Sequence, residues 1–133
     1  MSIPASKNRR WLPSTFNIQP STFFLRLGPG IVFLLHGFLK LFGGHHDRTV
    51  ALFLTVNIPL AEPAAWLIGV LEFVGGLALI SGVFLRPFAA LLAVEMGAAI
   101  VIVRLPQGFL GGWEFELVLL LVCSGLAFLP KHR

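Results

Sequence analysis

The sequence predicts an all-α fold, a bundle of four transmembrane helices, and three observations carry that prediction. Apolar stretches at 21–43, 63–83, 87–105 and 112–129 fill most of the 133 residues. Hydrophobic residues make up 56% of the chain. Charged residues make up 12%, about half the ~25% of a typical soluble domain, too few to dress a water-facing surface. Each stretch is also long enough, since about 20 residues rising ~1.5 Å each cross a hydrocarbon core of ~30 Å. Little length remains outside the spans, so any site must be built from the helices and their short connections.

The elements follow in chain order. Residues 1–20 form a polar tail in which Pro4, Pro13 and Pro20 prevent continuous helix. Arg9-Arg10 faintly resembles a twin-arginine export signal, but Pro13 and the polar run after it interrupt the apolar region such a signal needs. A basic tail against anionic headgroups is the simpler reading. Such a tail has little to bury, and an ordered one would point to a partner that holds it. Ser21 is placed to cap the first span, Pro29 to bend it, and Gly43-Gly44 to end it. The connection 45–62 carries Val50, Leu52, Phe53, Leu54 and Val56, too apolar for a free loop. It predicts a short helix, capped by Asp47 and running to about Val56, lying in the interface or tucked onto the bundle. Pro63 suits the first turn of the second span, and Trp66 its interfacial level. Phe84, Leu85 and Arg86 leave room only for an antiparallel hairpin before Pro87 starts the third span. The glycine-rich segment 106–112 turns the chain into the fourth span, which Leu129-Pro130 stops. The domain organisation is thus a tail at 1–20, a four-helix membrane domain at 21–129 and a short C-terminus at 130–133.

The formal net charge of +4 does not mark a nucleic-acid surface, because the basic residues flank spans. Lys7, Arg9, Arg10, Arg26, Arg86, Lys131 and Arg133 fall on one side if the helices alternate, and Lys40, Arg48 and Arg104 on the other. That bias places both termini in the cytoplasm and the protein in the cytoplasmic (inner) membrane. A single cysteine, Cys123, excludes an internal disulfide and dithiol relay chemistry within the chain. It reads as a small core hydrophobe. Gly69, Gly75, Gly76 and Gly82 in the second span, with Ala93, Gly97 and Ala98 in the third, read as helix-packing positions rather than ligand contacts.

The polar residues inside the spans are the candidates for chemistry. His36 and Lys40 share a face of the first span. Glu72 and Glu95 lie near the middles of the second and third spans, Arg104 ends the third, and Glu114 and Glu116 open the fourth. These groups converge on the non-cytoplasmic half of the bundle. A charge at mid-span costs about 2.5–3.5 kcal/mol on the insertion scale, so it needs a partner. The expected pairs join Glu72 and Glu116, or Glu114, to Lys40 and Arg104, with His36 close by. Glu95 has no basic partner at its depth and is the candidate for a protonated carboxyl, since desolvation disfavours the ionised form. Two readings stand: interhelical polar contacts that fix register, or a pocket for a polar headgroup such as a quinone ring, with His36 as hydrogen-bond or proton partner. His45-His46-Asp47 resembles a surface metal site only loosely, and no metal is expected. No second intramembrane histidine is present to complete a bis-histidine haem site, whereas a pigment needing one axial ligand could use His36. No cofactor is expected within the chain beyond such a quinone or pigment contact.

Three segments together resemble the DoxX family of small four-helix membrane proteins: "RLGPGIVFLLHGFLKLFGG" at 26–44, "LIGVLEFVGGLALISGVFLRPFAALLAVEM" at 67–96 and "VRLPQGFLGGWEFELVLLL" at 103–121. The resemblance covers 22–129 and implies the four-helix fold and a respiratory or oxidative-stress setting. The family takes its name from a subunit of a thiosulfate:quinone oxidoreductase. It offers no agreed catalytic residues to carry over. Many relatives have histidine where this chain has Arg104, which exchanges a titratable group for a permanent charge. The expected function is an accessory or structural subunit of a membrane electron-transfer complex, without catalytic activity of its own and in contact with lipid and other membrane subunits. The alternative is a quinone-interacting oxidoreductase subunit with a polar pocket in the non-cytoplasmic half of the bundle. A small transporter fits less well, because no inverted repeat or pair of broken helices is visible.

Overall fold

The computed structural model describes residues 20–130; the N-terminal tail to residue 19 and the last three residues lie outside them, with the expectations placed there. The fold is all-α. Five helices appear in the order α1 (Pro20–Leu41), α2 (His46–Thr55), α3 (Ala61–Ser81), α4 (Leu85–Ala99) and α5 (Glu114–Ala127), with no strand among the described residues. Four helical segments are long and apolar enough to cross a membrane: Ser21–Leu41, Ala61–Ser81, Leu85–Gln107 and Phe109–Ala127.

Local chemistry sets the ends of these helices. The first span opens on Pro20, whose fixed φ suits a first turn, so Ser21 lies inside the helix instead of capping it. The helix continues through Pro29, which is buried. Helix α2 covers the expected short segment, but Asp47 sits within its first turn, where a carboxylate favours the helix dipole, and makes no side-chain cap. Gly82, at φ 80°, closes α3, and Phe84, at φ 50°, completes the hairpin into α4. The third span ends in a π-helical segment, Ile100–Arg104, followed by a turn at Leu105–Gln107.

The bundle is built from two tight pairs. Helices α1 and α3 make the most extensive contact, α4 and α5 the next, while α3–α4 and α1–α5 touch less. The first pair is close because glycine leaves room for backbone. A Cβ at Gly37 would fall on the Phe73 backbone, and one at Gly76 would come within 2.5 Å of Leu34 N. The buried core draws mostly on the second pair, where Leu92 and Cys123 are fully buried with Ala89, Leu119 and Leu126 beside them, and Leu79 of α3 completes it. Most of this core lies toward the α3–α4 hairpin. The opposite half of the bundle, the end carrying α2, is where the polar side chains gather. Large apolar residues remain exposed on every span, including Phe24, Leu67, Val94 and Leu121, as expected when lipid is the solvent.

Candidate functional site

Between the two helix pairs, in the half of the bundle nearer α2, lies a cavity of about 450 Å³. His36 and Lys40 reach it from α1, Glu72 from α3, Glu95 from α4, Arg104 from the π-helical segment and Glu116 from α5. Phe33, Met96, Phe115 and Leu119 supply apolar wall. Thr49, Leu52 and Phe53 of α2 close the end.

Each cation is matched within its own helix pair. Lys40 Nζ donates to Glu72 Oε1 at 2.6 Å, with the Glu72 side chain 3% exposed and that of Lys40 21% exposed. Arg104 Nε lies 3.0 Å from Glu116 Oε1, and the same guanidinium donates through Nη1 to Gln107 Oε1 at 2.9 Å. Short charge-assisted contacts of this kind offset the removal of both groups from water. The Glu95 carboxyl lies beside that of Glu72 on the cavity lining. Glu72 Oε2, Glu95 Oε2 and Glu116 Oε2 are buried and receive no donor. The His36 ring stacks on Phe115 with centroids 6.3 Å apart.

The π-helical segment explains how Arg104 comes to the cavity. In an uninterrupted α-helix at 3.6 residues per turn, positions 95 and 104 would point about 180° apart. The wider π turn rotates less per residue, and over five residues it brings the guanidinium back toward the side that carries Glu95. This device was invisible to a reading based on span length and depth alone. A run of Ile-Val-Ile-Val before the arginine is the only local trace of it, and β-branched crowding is a weak one.

The chain can now be set beside known proteins. The DoxX family model matches residues 21–105, about two-thirds of the sequence. The chain belongs to the DoxX family. Its sequence is 33% identical over 111 residues to the Bacillus subtilis (strain 168) protein named "Putative oxidoreductase CatD", covering 84% of this chain and 80% of that one. No solved structure matches. The DoxX match ends at the π-helical segment and the turn after it, so Glu116 comes from the part of the chain beyond it.

Not every candidate residue reaches the cavity. Glu114 lies outside it, where its Oε1 accepts a hydrogen bond from Gly111 N at 2.9 Å and fastens the turn into α5. The correction has a simple cause: residues two apart on a helix face different ways, so Glu114 and Glu116 cannot both turn inward. Glu95, expected to lack a basic partner, makes no ion pair among the described residues and lies beside Glu72. His46, read from the sequence only as part of a loose metal-like group, forms a further pair at the α2 end with Glu62, which was not singled out. His46 Nε2 lies 2.7 Å from Glu62 Oε1, and its ring stacks on Trp66 at 4.1 Å. That engagement makes His46 a joint between α2 and α3, and no cluster of three or more metal-ligating side chains occurs among the described residues.

Proposed function

We propose that this DoxX-family chain is a quinone-interacting component of a membrane electron-transfer assembly, its cavity receiving the ligand's ring headgroup. The observation that carries the reading is the cavity itself: about 450 Å³, apolar in its walls, with two matched ion pairs and His36 at its rim. That combination of apolar wall and few convergent polar groups is the usual make-up of a small-molecule site. The name of the Bacillus subtilis relative, an oxidoreductase, agrees with it. A subunit that only filled an interface would have no use for an open polar space between its own helices, and this favours ligand binding over the purely structural accessory role.

The roles follow from the contacts. Lys40 spends one N–H on Glu72 and has two left to offer a ring oxygen. His36 stands at the edge of the space, stacked on Phe115, where its ring can donate or accept. Glu72 and Glu95 stand together on the cavity wall, each with one buried carboxyl oxygen able to accept a hydrogen bond from a ligand hydroxyl. Electrons would come from a partner subunit, and this chain would contribute position and protons.

The test is binding of a tailless benzoquinone to the purified chain in nanodiscs, read by quenching of Trp66 and Trp113 fluorescence. Wild type should saturate, and His36→Phe and Glu72→Gln should each weaken binding about tenfold, the worth of one hydrogen bond to a charged or polar partner. Absence of saturable quenching in the folded wild type would remove the proposal. Migration as a lone monomer after native purification would separately remove the assembly.

A further inference from the structure

We infer that the ligand is an amphiphile with one apolar tail, and that the tail lies in the cleft between α3 and α4 at their α2 ends while the headgroup occupies the cavity. This rests on the headgroup reading above and goes beyond it by naming the tail's path and the class of ligand that path admits.

The cleft follows from the hairpin geometry. Helices α3 and α4 are antiparallel and joined by three residues, Gly82–Phe84. Glu72 and Glu95 therefore meet at one height, midway along both. Beyond that height a closed pair would seat Ile68 on Ala99, with Leu67 and Ala98 close to the same seam. Instead all four line the cavity. Leu67 is nevertheless 68% exposed and Ile102 48% exposed, although Ile102 too lines the cavity. The same side chains bound the internal space and the lipid-facing surface, so the wall between them is one side chain thick. On the α2 side of Glu72 and Glu95 the α3–α4 seam therefore borders both the cavity and the lipid-facing surface.

Helix α2 roofs the end, its own Thr49 buried. On the opposite flank, between α1 and α5, His36 and Phe115 are exposed as well as lining the cavity, and there the stacked imidazole makes the opening polar. The chemistry of the cleft agrees with its position. Leu67, Ile68, Ala98 and Ile102 offer no polar group, so a hydrophilic solute would gain nothing along it, while an alkyl or isoprenoid chain meets matching surface. The small side chain at Ala98 leaves the space a tail requires.

The experiment compares two probes on the full chain in nanodiscs: a decyl-tailed benzoquinone and the same ring without the tail. Ala98→Trp and Leu67→Trp each fill the cleft from the surface side. In at least one of them the tailed probe should bind about tenfold more weakly, the low end of what overfilling a packed space costs. The tailless probe should change by less than about threefold, which also shows that the cavity and fold persist. Equal loss of both probes, or no loss of either in both variants, overturns the cleft assignment while leaving the headgroup site standing. Failure of the tailless ring to bind wild type defeats the headgroup reading and this one with it.

Discussion

Replacing Lys40 with methionine isolates Glu72, the most buried charge among the described residues. Methionine keeps the length and apolar stem of lysine and removes the ammonium that lies 2.6 Å from Glu72 Oε1. Glu72 is 3% exposed, so water cannot substitute for the lost partner. Breaking a buried pair by removing one member costs about 3–5 kcal/mol, because the remaining charge is uncompensated. The expected loss for Lys40→Met is therefore about 3–5 kcal/mol. Glu72→Gln, made alone, leaves the ammonium to snorkel or find Glu95 and should cost less, about 1–3 kcal/mol. The double variant should recover about 2 kcal/mol or more of the summed losses, since neither leaves a charge stranded. Reversible unfolding in mixed detergent micelles measures all three. Losses that add to within about 0.5 kcal/mol would refute the reasoning, because independent sites behave that way and a desolvated ion pair cannot.

Other consequences are more local. Gly37→Ala should destabilise by about 1–3 kcal/mol, because its Cβ has only the Phe73 backbone to displace, whereas Gly97→Ala, whose nearest new neighbour is Leu120 Cδ1 at 4.0 Å, should be neutral or gain up to about 1 kcal/mol from helix propensity; thermal melts of the two variants check the contrast. Deleting Val101 should relax the π segment to α-helix and leave the arginine on the cavity side, because eight steps of about 100° set it about 80° from Glu95; its loss of stability should therefore fall well below that of Arg104→Leu in thermal melts of the two variants. Glu62→Gln should cost less than about 1 kcal/mol despite its 2.7 Å contact with His46, because the glutamate is 64% exposed, and unfolding in high salt should shrink even that difference.

The four spans could be read from the chain because composition and length decide membrane insertion almost alone. Residue depth could be read as well: counting along each span puts Lys40 level with Glu72's half of α3, and Arg104 beside the start of α5. Rotation about each helix axis could not be read in the same way. Gly37 gave no sign that it, with Gly76, would set the closest approach in the bundle, because a lone glycine beside His36 and Phe38 has no visible partner until α3 is laid against it. Arg104 was a harder case. Its facing depends on a local change of helical pitch, and pitch is a tertiary outcome in which the Glu116 and Gln107 contacts repay weaker backbone geometry. Glu114 was placed wrongly for the opposite reason: the sequence did hold the answer, since alternate residues on a helix cannot share a face.

The arrangement of the charges also bears on how the cavity can exist at all. Lys40–Glu72 lies within the α1–α3 pair and Arg104–Glu116 within the α4–α5 side. Each ion pair tightens one half-bundle and neither ties the halves together. Across the divide stands the carboxyl contact of Glu72 with Glu95, held at mid-depth above a core in which Leu79, Leu92 and Cys123 exclude all space. The halves are therefore fused toward the hairpin and free to stand apart toward α2. Had Lys40 instead reached across to Glu116, the charges would have drawn the halves shut and filled the space they now surround. A polar cavity in a membrane bundle this small requires its strongest attractions to run along its walls, and that is how these two ion pairs run.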